Sequence, residues 1–115
     1  MSEDSVQASE IQGFPVLAVS GYLNGELAGD LQGKAAALLR EKKVNIIIDL
    51  SACKVINSPG VSTLLDLVLN VQEDMQGMVV FCGLDPLKQK VFKMAGILPR
   101  AKVAPALADA PGLFS

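Results

Sequence analysis

Residues 44 to 69, VNIIIDLSACKVINSPGVSTLLDLVL, decide how this chain folds. Val44, Ile46, Ile47 and Ile48 crowd β-branched side chains together, the pattern of a strand covered on both faces. The apolar run ends at Asp49 and a short polar passage follows. Asn57-Ser58-Pro59-Gly60 then opens a second run, in which Val61, Leu64, Leu65 and Val68 recur at the three-and-four spacing of one helical face. The change of period marks a central strand that feeds a helix through a short loop. Ser58 fits the N-cap slot and Pro59 the first helical position, where a missing N–H costs nothing. A hydroxyl at a helix start, near the carboxyl end of a buried strand, stands where α/β domains place function.

Working outward toward the N-terminus, Asn24 is suited to cap a helix from about Gly25 to Glu41, with Leu27, Leu31, Ala35, Leu38 and Leu39 on its inner face. Before it, Val6 to Ile11 and Phe14 to Ser20 alternate weakly around a turn at Gln12-Gly13 and read as a hairpin ended by Gly21. Toward the C-terminus, Gln76-Gly77 breaks the central helix and Met78 to Cys82 is a short apolar strand. Asp85-Pro86 starts a further helix, with Leu87, Val91, Phe92 and Met94 expected inward, Lys88, Lys90 and Lys93 outward, and Gly96 as its stop. Lys102-Val103 reads as a last edge strand and Ala104 to Leu113 as a weak terminal helix bounded by Pro105 and Pro111. The order predicts an α/β domain spanning residues 1–115, with parallel pairings after the opening hairpin.

At 115 residues the chain has room for one core, and half of it is apolar. The formal charge of −2 with a pI near 5.0 speaks against binding nucleic acid or an anionic membrane. The longest apolar runs fall well short of the roughly 18 residues a membrane span needs. The first residues, MSEDSVQASE, are acidic and polar, unlike a secretory leader. Cys53 and Cys82 lack metal-ligand spacing and read as reduced thiols of a cytoplasmic protein, Cys82 inside a strand.

The chain contains no histidine, which removes the usual general base and the commonest metal ligand together. No phosphate-binding glycine loop is present. Nothing in the spacing of Ser58 and Lys54 favours a Ser–Lys nucleophile, and Asp49 and Asp66 are not spaced as an acid–base pair. An enzyme is not expected, and no cofactor or metal is called for. Ser58 itself has two readings. As an N-cap its hydroxyl bonds the backbone N–H of Gly60 or Val61, worth about 1 kcal/mol. As a phosphoacceptor it would carry a dianion at the positive end of the helix.

The order of elements, together with IIIDLSACKVINSPGVSTLL and the later GLDPLKQKVFKMAGI, resembles the STAS domain of bacterial anti-sigma factor antagonists. That resemblance implies a STAS-type fold, a four- to five-stranded mixed sheet with an N-terminal hairpin and about four helices. It places Ser58 at the family's phosphorylated serine and Gly60 at its glycine. Asn57 stands where the family usually has Asp, and Pro59 where it has Ser or Thr. The implied function is partner switching. The unphosphorylated form binds an anti-sigma factor that is also a serine protein kinase, phosphorylation of Ser58 releases it, and a PP2C-type phosphatase restores binding. ATP belongs to the kinase. The alternative is a STAS scaffold or accessory subunit of a signalling assembly, without obligatory phosphorylation and with weak self-association.

The partner surface is expected around Asn57, Ser58, Pro59 and Gly60. Along the following helix it takes in Ser62, Thr63 and Asp66, which lie off the apolar stripe. Leu67 also lies off that stripe, as a partner contact or as a residue covered by the terminal helix. The topology brings Asn24 and Gly25 toward the same end of the sheet. Ser51 and Lys54 are expected in the loop before Ser58.

Overall fold

In the computed structural model, which describes residues 4–114, Gln12 and Gly13 both take positive φ, 50° and 84°. Two such residues make the hairpin turn whose twist matches that of the strands it joins. It connects β1 (Ser5–Ile11) to β2 (Phe14–Leu23) in antiparallel register, with Val6 opposite Val19 and Ile11 opposite Phe14. β2 does not end at Gly21. The glycine holds a φ of 85° inside the strand, and the pairing with the next strand slips beside it. The Asp4 carboxylate accepts the Tyr22 N–H at 3.0 Å at the same place. Gly21 therefore marks a bulge rather than a stop.

After α1 (Gly25–Arg40), β3 (Asn45–Ile56) occupies the centre of the sheet and corrects the sequence reading of a strand that stops at Asp49. β3 pairs with β2 as far as Ile56 opposite Leu23, but with β4 (Met78–Cys82) only as far as Asp49 opposite Cys82. Its second half thus has a neighbour on one side only. Leu50 and Cys53 still point inward there, while Ser51, Ala52, Lys54 and Val55 are exposed. A strand half open to water carries the polar sequence of a loop. Ser51 and Lys54 accordingly lie on β3 and not in a loop.

α2 (Ser58–Leu69) continues into a π-helical turn at Asn70–Asp74 before β4, and α3 (Pro86–Met94) leads to β5 (Lys102–Ala104). The five strands lie in chain order, β1 antiparallel and the others parallel, so the expected mixed sheet with an N-terminal hairpin is present. The weak helix expected over 104–113 is instead two 3-10 turns, Leu107–Asp109 and Pro111–Phe114. Pro111 has no N–H to donate and breaks a continuous helical ladder. The expected domain bounds at residues 1 and 115 lie outside the described residues.

β3 is covered on both faces, as its β-branched run demands. Ile46, Ile48 and Leu50 enter the larger cluster with Leu31 of α1, Leu64 of α2 and Phe92 of α3. Ile47 enters a smaller cluster on the opposite face with Val16, Val80, Cys82 and Ala110. The C-terminal turns close that face, and Phe114 stacks on Phe14 with ring centroids 4.5 Å apart. Burying each isoleucine is worth roughly 1.5–3 kcal/mol, so the centre of the sheet holds rigidly what stands at its end.

Candidate functional site

Two helix starts meet where β2 and β3 end. Asn24 caps α1, its Oδ1 accepting the Leu27 N–H at 3.0 Å. Asn57, not Ser58, caps α2, its Oδ1 accepting the Gly60 N–H at 2.9 Å. The reason lies in the next bond along. A Ser58 cap would reach for Val61, but the Val61 N–H already donates to the Asn57 carbonyl at 3.0 Å. Ser58 is thus the first helical residue and Pro59 the second, one place later than the sequence reading put them.

The two starts are fastened together through Leu23. Its carbonyl accepts the Asn57 N–H at 3.1 Å. A Cβ on Gly60 would lie 2.5 Å from the same oxygen, so only glycine permits this approach. A Cβ on Gly25 would sit 3.7 Å from the Pro59 side chain. The structure therefore brings together Asn24, Gly25, Asn57, Ser58, Pro59 and Gly60 as expected.

Ser58 and Pro59 are exposed while Gly60 is buried. Because Asn57 does the capping, the Ser58 hydroxyl is released from that duty. The same arrangement thins the anion cradle anticipated for a phosphate. Pro59 has no N–H and that of Gly60 is occupied, so of the first helical turn only the N–H of Ser58 itself is left for an anion. The helix dipole still favours negative charge there, by about 0.3–1 kcal/mol at an exposed position.

Ser62 and Asp66 are exposed and follow Ser58 at four-residue steps along α2, on one stripe of the helix, with Thr63 half-buried. Leu67 is a correction. It is buried in the larger cluster, where α1 and α2 pack together, and it is neither a partner contact nor covered by the terminal segment. Asp49 closes on Ser51, accepting its hydroxyl at 2.7 Å and its N–H at 3.0 Å. Burial, reinforced by the Asp49 charge, pushes the Cys82 thiol up to about 12. Burial also raises Cys53, against the opposing charge of Lys88. Among the described residues no group of His, Cys, Asp or Glu is placed to hold a metal ion, and no helix is long and apolar enough to cross a membrane.

α3 is turned against expectation. Phe92 is buried as foreseen, packing edge-on against Phe81 with centroids 5.1 Å apart. Its companion on the inner face is Lys88, which is only 8% exposed. Leu87, Val91 and Met94 face outward instead. Asp85 makes this orientation tolerable. It caps the helix by accepting the Lys88 N–H at 2.8 Å and pairs with the Lys88 ammonium at 2.7 Å. The Lys88 bonds hold the Asp85 carboxyl below its ordinary range. The Lys88 ammonium also reaches the Lys54 carbonyl at 3.5 Å. Two stripes compete on this helix, Leu87-Val91-Met94 and Lys88-Phe92, and only the Asp85–Lys88 spacing hints that the second faces inward.

The STAS domain family model matches residues 5–110. BtrV of Bordetella bronchiseptica, named as a candidate anti-sigma factor antagonist, is 29% identical over 105 residues, covering 91% of this chain and 90% of BtrV. The crystal structure of an anti-sigma factor antagonist from Mycobacterium paratuberculosis superposes with a TM-score of 0.81 at 21% identity, over 96% of this chain and 92% of that one. The phosphorylated form of SpoIIAA, a Bacillus cell fate determinant, superposes with a TM-score of 0.73 at 18% identity, over 95% and 99% of the two chains.

Proposed function

From the premise that this chain belongs to the STAS domain family, we propose that it is an anti-sigma factor antagonist whose partner binding is switched by phosphorylation of Ser58. One observation carries the reading: Ser58 is exposed on the first turn of α2, beside the start of α1, with Asn57 taking the capping role. With the cap supplied by Asn57, the Ser58 hydroxyl stands open to a kinase. The resemblance of the chain to BtrV supports the class of function.

The switch works by charge. The partner kinase supplies ATP, the Ser58 hydroxyl oxygen attacks the γ-phosphorus, the proton leaves with the kinase's base, and ADP departs. The product carries about −1.5 to −2 charges where a neutral hydroxyl stood. With Pro59 lacking an N–H and Gly60 already bonded, α2 offers little to hold the phosphate, so it stays at the surface. A partner seated on Asn24, Gly25 and the Ser58–Asp66 stripe then meets an unmatched dianion and is repelled, without any change of fold. Hydrolysis by a PP2C-type phosphatase, in the cytoplasm with the kinase, restores the neutral surface.

Incubation with the cognate kinase and ATP, followed by mass spectrometry, tests this directly. Ser58 acquires one phosphate, Ser58→Ala stays bound to the kinase in the presence of ATP, and Ser58→Asp binds poorly. Unmodified Ser58 under a kinase active on another substrate overturns the reading.

A further inference from the structure

Of the ten lysines and arginines, Lys34, Lys43, Lys88 and Arg100 are ion-paired, Lys102 donates to the Leu113 carbonyl, and Lys54 is also engaged. Among the described residues the others are Lys90 and Lys93 on α3, and Arg40 and Lys42 at the end of α1. Arg40 and Lys42 line one concavity of about 330 Å³, together with Ala36, Leu39, Asn70 and Met75. That volume falls within the range of small-molecule sites, roughly 300–1,000 Å³. None of the lining residues is a carboxylate.

Neither cation is needed to finish α1. The helix ends in a closed backbone motif, the Lys42 N–H donating to the Leu39 carbonyl and the Lys43 N–H to the Leu38 carbonyl, each at 3.0 Å. The left-handed residue of this motif is Lys42, with a φ of 65°. Glycine is the usual occupant of that position, and a side chain there costs stability. Non-glycine residues held in this conformation gather at functional sites. The facing wall carries a second irregularity. The π-helical turn Asn70–Asp74 closes with the Met75 N–H donating to the Asn70 carbonyl at 3.2 Å, and both of those residues line the concavity. Such turns are rare and recur at functional sites.

The lining defines the ligand. Arg40 and Lys42 offer donors alone, Asn70 adds the N–H groups of an exposed amide, and Ala36, Leu39 and Met75 supply an apolar floor. A donor set with a guanidinium and an ammonium, and no carboxylate to neutralise them, matches an oxyanion. We propose that this concavity binds a small organic anion, its carboxylate or phosphate head held by Arg40 and Lys42 and its apolar body resting on Leu39 and Met75. The site lies at the far ends of α1 and α2 from Ser58. It needs neither phosphoserine nor kinase.

The test titrates the full chain, isotope-labelled for amide spectra, with phenyl phosphate, benzoate, benzylamine and inorganic phosphate. Phenyl phosphate or benzoate shifts the amides of Arg40, Lys42, Asn70 and Met75 saturably, and the tighter of the two identifies the head group. Benzylamine, with the same apolar body and the opposite charge, leaves these amides in place. Inorganic phosphate, with no apolar body, binds at least about tenfold more weakly. Arg40→Gln weakens binding of the aromatic anion by about tenfold with Tm unchanged. Lys42→Gly weakens it to a similar extent yet raises Tm, because glycine adopts the left-handed φ freely. No saturable shift with either aromatic anion, equal shifts with benzylamine, or inorganic phosphate binding as tightly as phenyl phosphate overturns the proposal. So does a Lys42→Gly variant that binds as the parent does, or a glutamate-rich peptide that binds more tightly than both aromatic anions, which would assign the concavity to a protein partner. Because Ser58 is not involved, failure here leaves the phosphorylation reading standing, and an unmodifiable Ser58 leaves this one.

Discussion

Replacing Gly60 by alanine adds one methyl group at the point where α2 meets the end of β2. That methyl would stand 2.5 Å from the Leu23 carbonyl oxygen and 3.0 Å from the Ile56 Cγ2. The first distance is roughly 1 Å inside van der Waals contact. The oxygen cannot retreat freely, because it accepts the Asn57 N–H at 3.1 Å. Overpacking of this kind costs about 1–3 kcal/mol, and loosening the hydrogen bond adds about 1 kcal/mol. Against this, alanine gains up to about 1 kcal/mol over glycine in a helix. The net is a loss of about 1–3 kcal/mol, which lowers Tm by roughly 4–12 °C in a domain of this size. Gly33→Ala is the control: a Cβ there meets nothing within 4 Å in α1, so the same substitution should stabilise by up to about 1 kcal/mol. Urea unfolding of both variants, compared at equal m-values, reads the two signs. A Gly60→Ala variant as stable as the parent would refute the close approach and, with it, the fastening of the two helix starts.

The capping assignment separates two neighbouring residues: Asn57→Ala should cost about 1 kcal/mol in urea unfolding while Ser58→Ala stays within about 0.5 kcal/mol, and the reverse order would restore Ser58 as the cap. The Cys82 thiol, raised in the folded state from an ordinary 9.0 to about 12, contributes stability that is complete below pH 9 and is lost as pH rises toward 12. The loss amounts to about 4 kcal/mol at most, so urea midpoints should fall more steeply across that window in the parent than in Cys82→Ala, and parallel curves would dismiss the coupling. Lys88→Met, which exchanges a buried cation for an apolar stem of similar length, should leave Tm unchanged or raise it, whereas Asp85→Ala, which strands the Lys88 charge and uncaps α3, should lower it. Equal Tm values for the two variants would show that Lys88 is not held by Asp85.

The scaffold was legible in the chain because its signals are local. Ile46, Ile47 and Ile48 announce a strand covered on both faces, Asn24 and Asp85 announce helix starts, and Gln12-Gly13 announces the hairpin. Readings failed where the deciding partner is distant in sequence. Whether Leu50 to Ile56 is strand or loop depends on β2 outlasting β4 as its neighbour. Leu67 lies off the stripe counted from Val61, yet it is buried in the larger cluster, which also holds residues of α1 and of the sheet. On α3 a periodicity count groups Phe92 with Leu87, Val91 and Met94, yet only Phe92 faces inward, beside a Lys88 whose charge Asp85 pairs. At the candidate site Asn24 and Gly25 lie beside Asn57 to Gly60, whereas Leu67 is buried away from it. The capping role was misassigned by one position, since serine and asparagine both suit it and only the bond to Val61 decides between them.

The spatial order of the strands has a consequence for how the molecule comes into being. Each strand pairs with the one made just before it, so a chain emerging from the ribosome never has to pull neighbours apart to admit a third strand between them. Once residue 60 has emerged, β1, β2, α1 and β3 can already be in place, and Asn57 meets a waiting Leu23 carbonyl. The surface that carries Ser58 is thus complete on one side before the second half of the sheet exists. The segment Pro111–Phe114, which seals the opposite face over Ile47, arrives only after all five strands have been made.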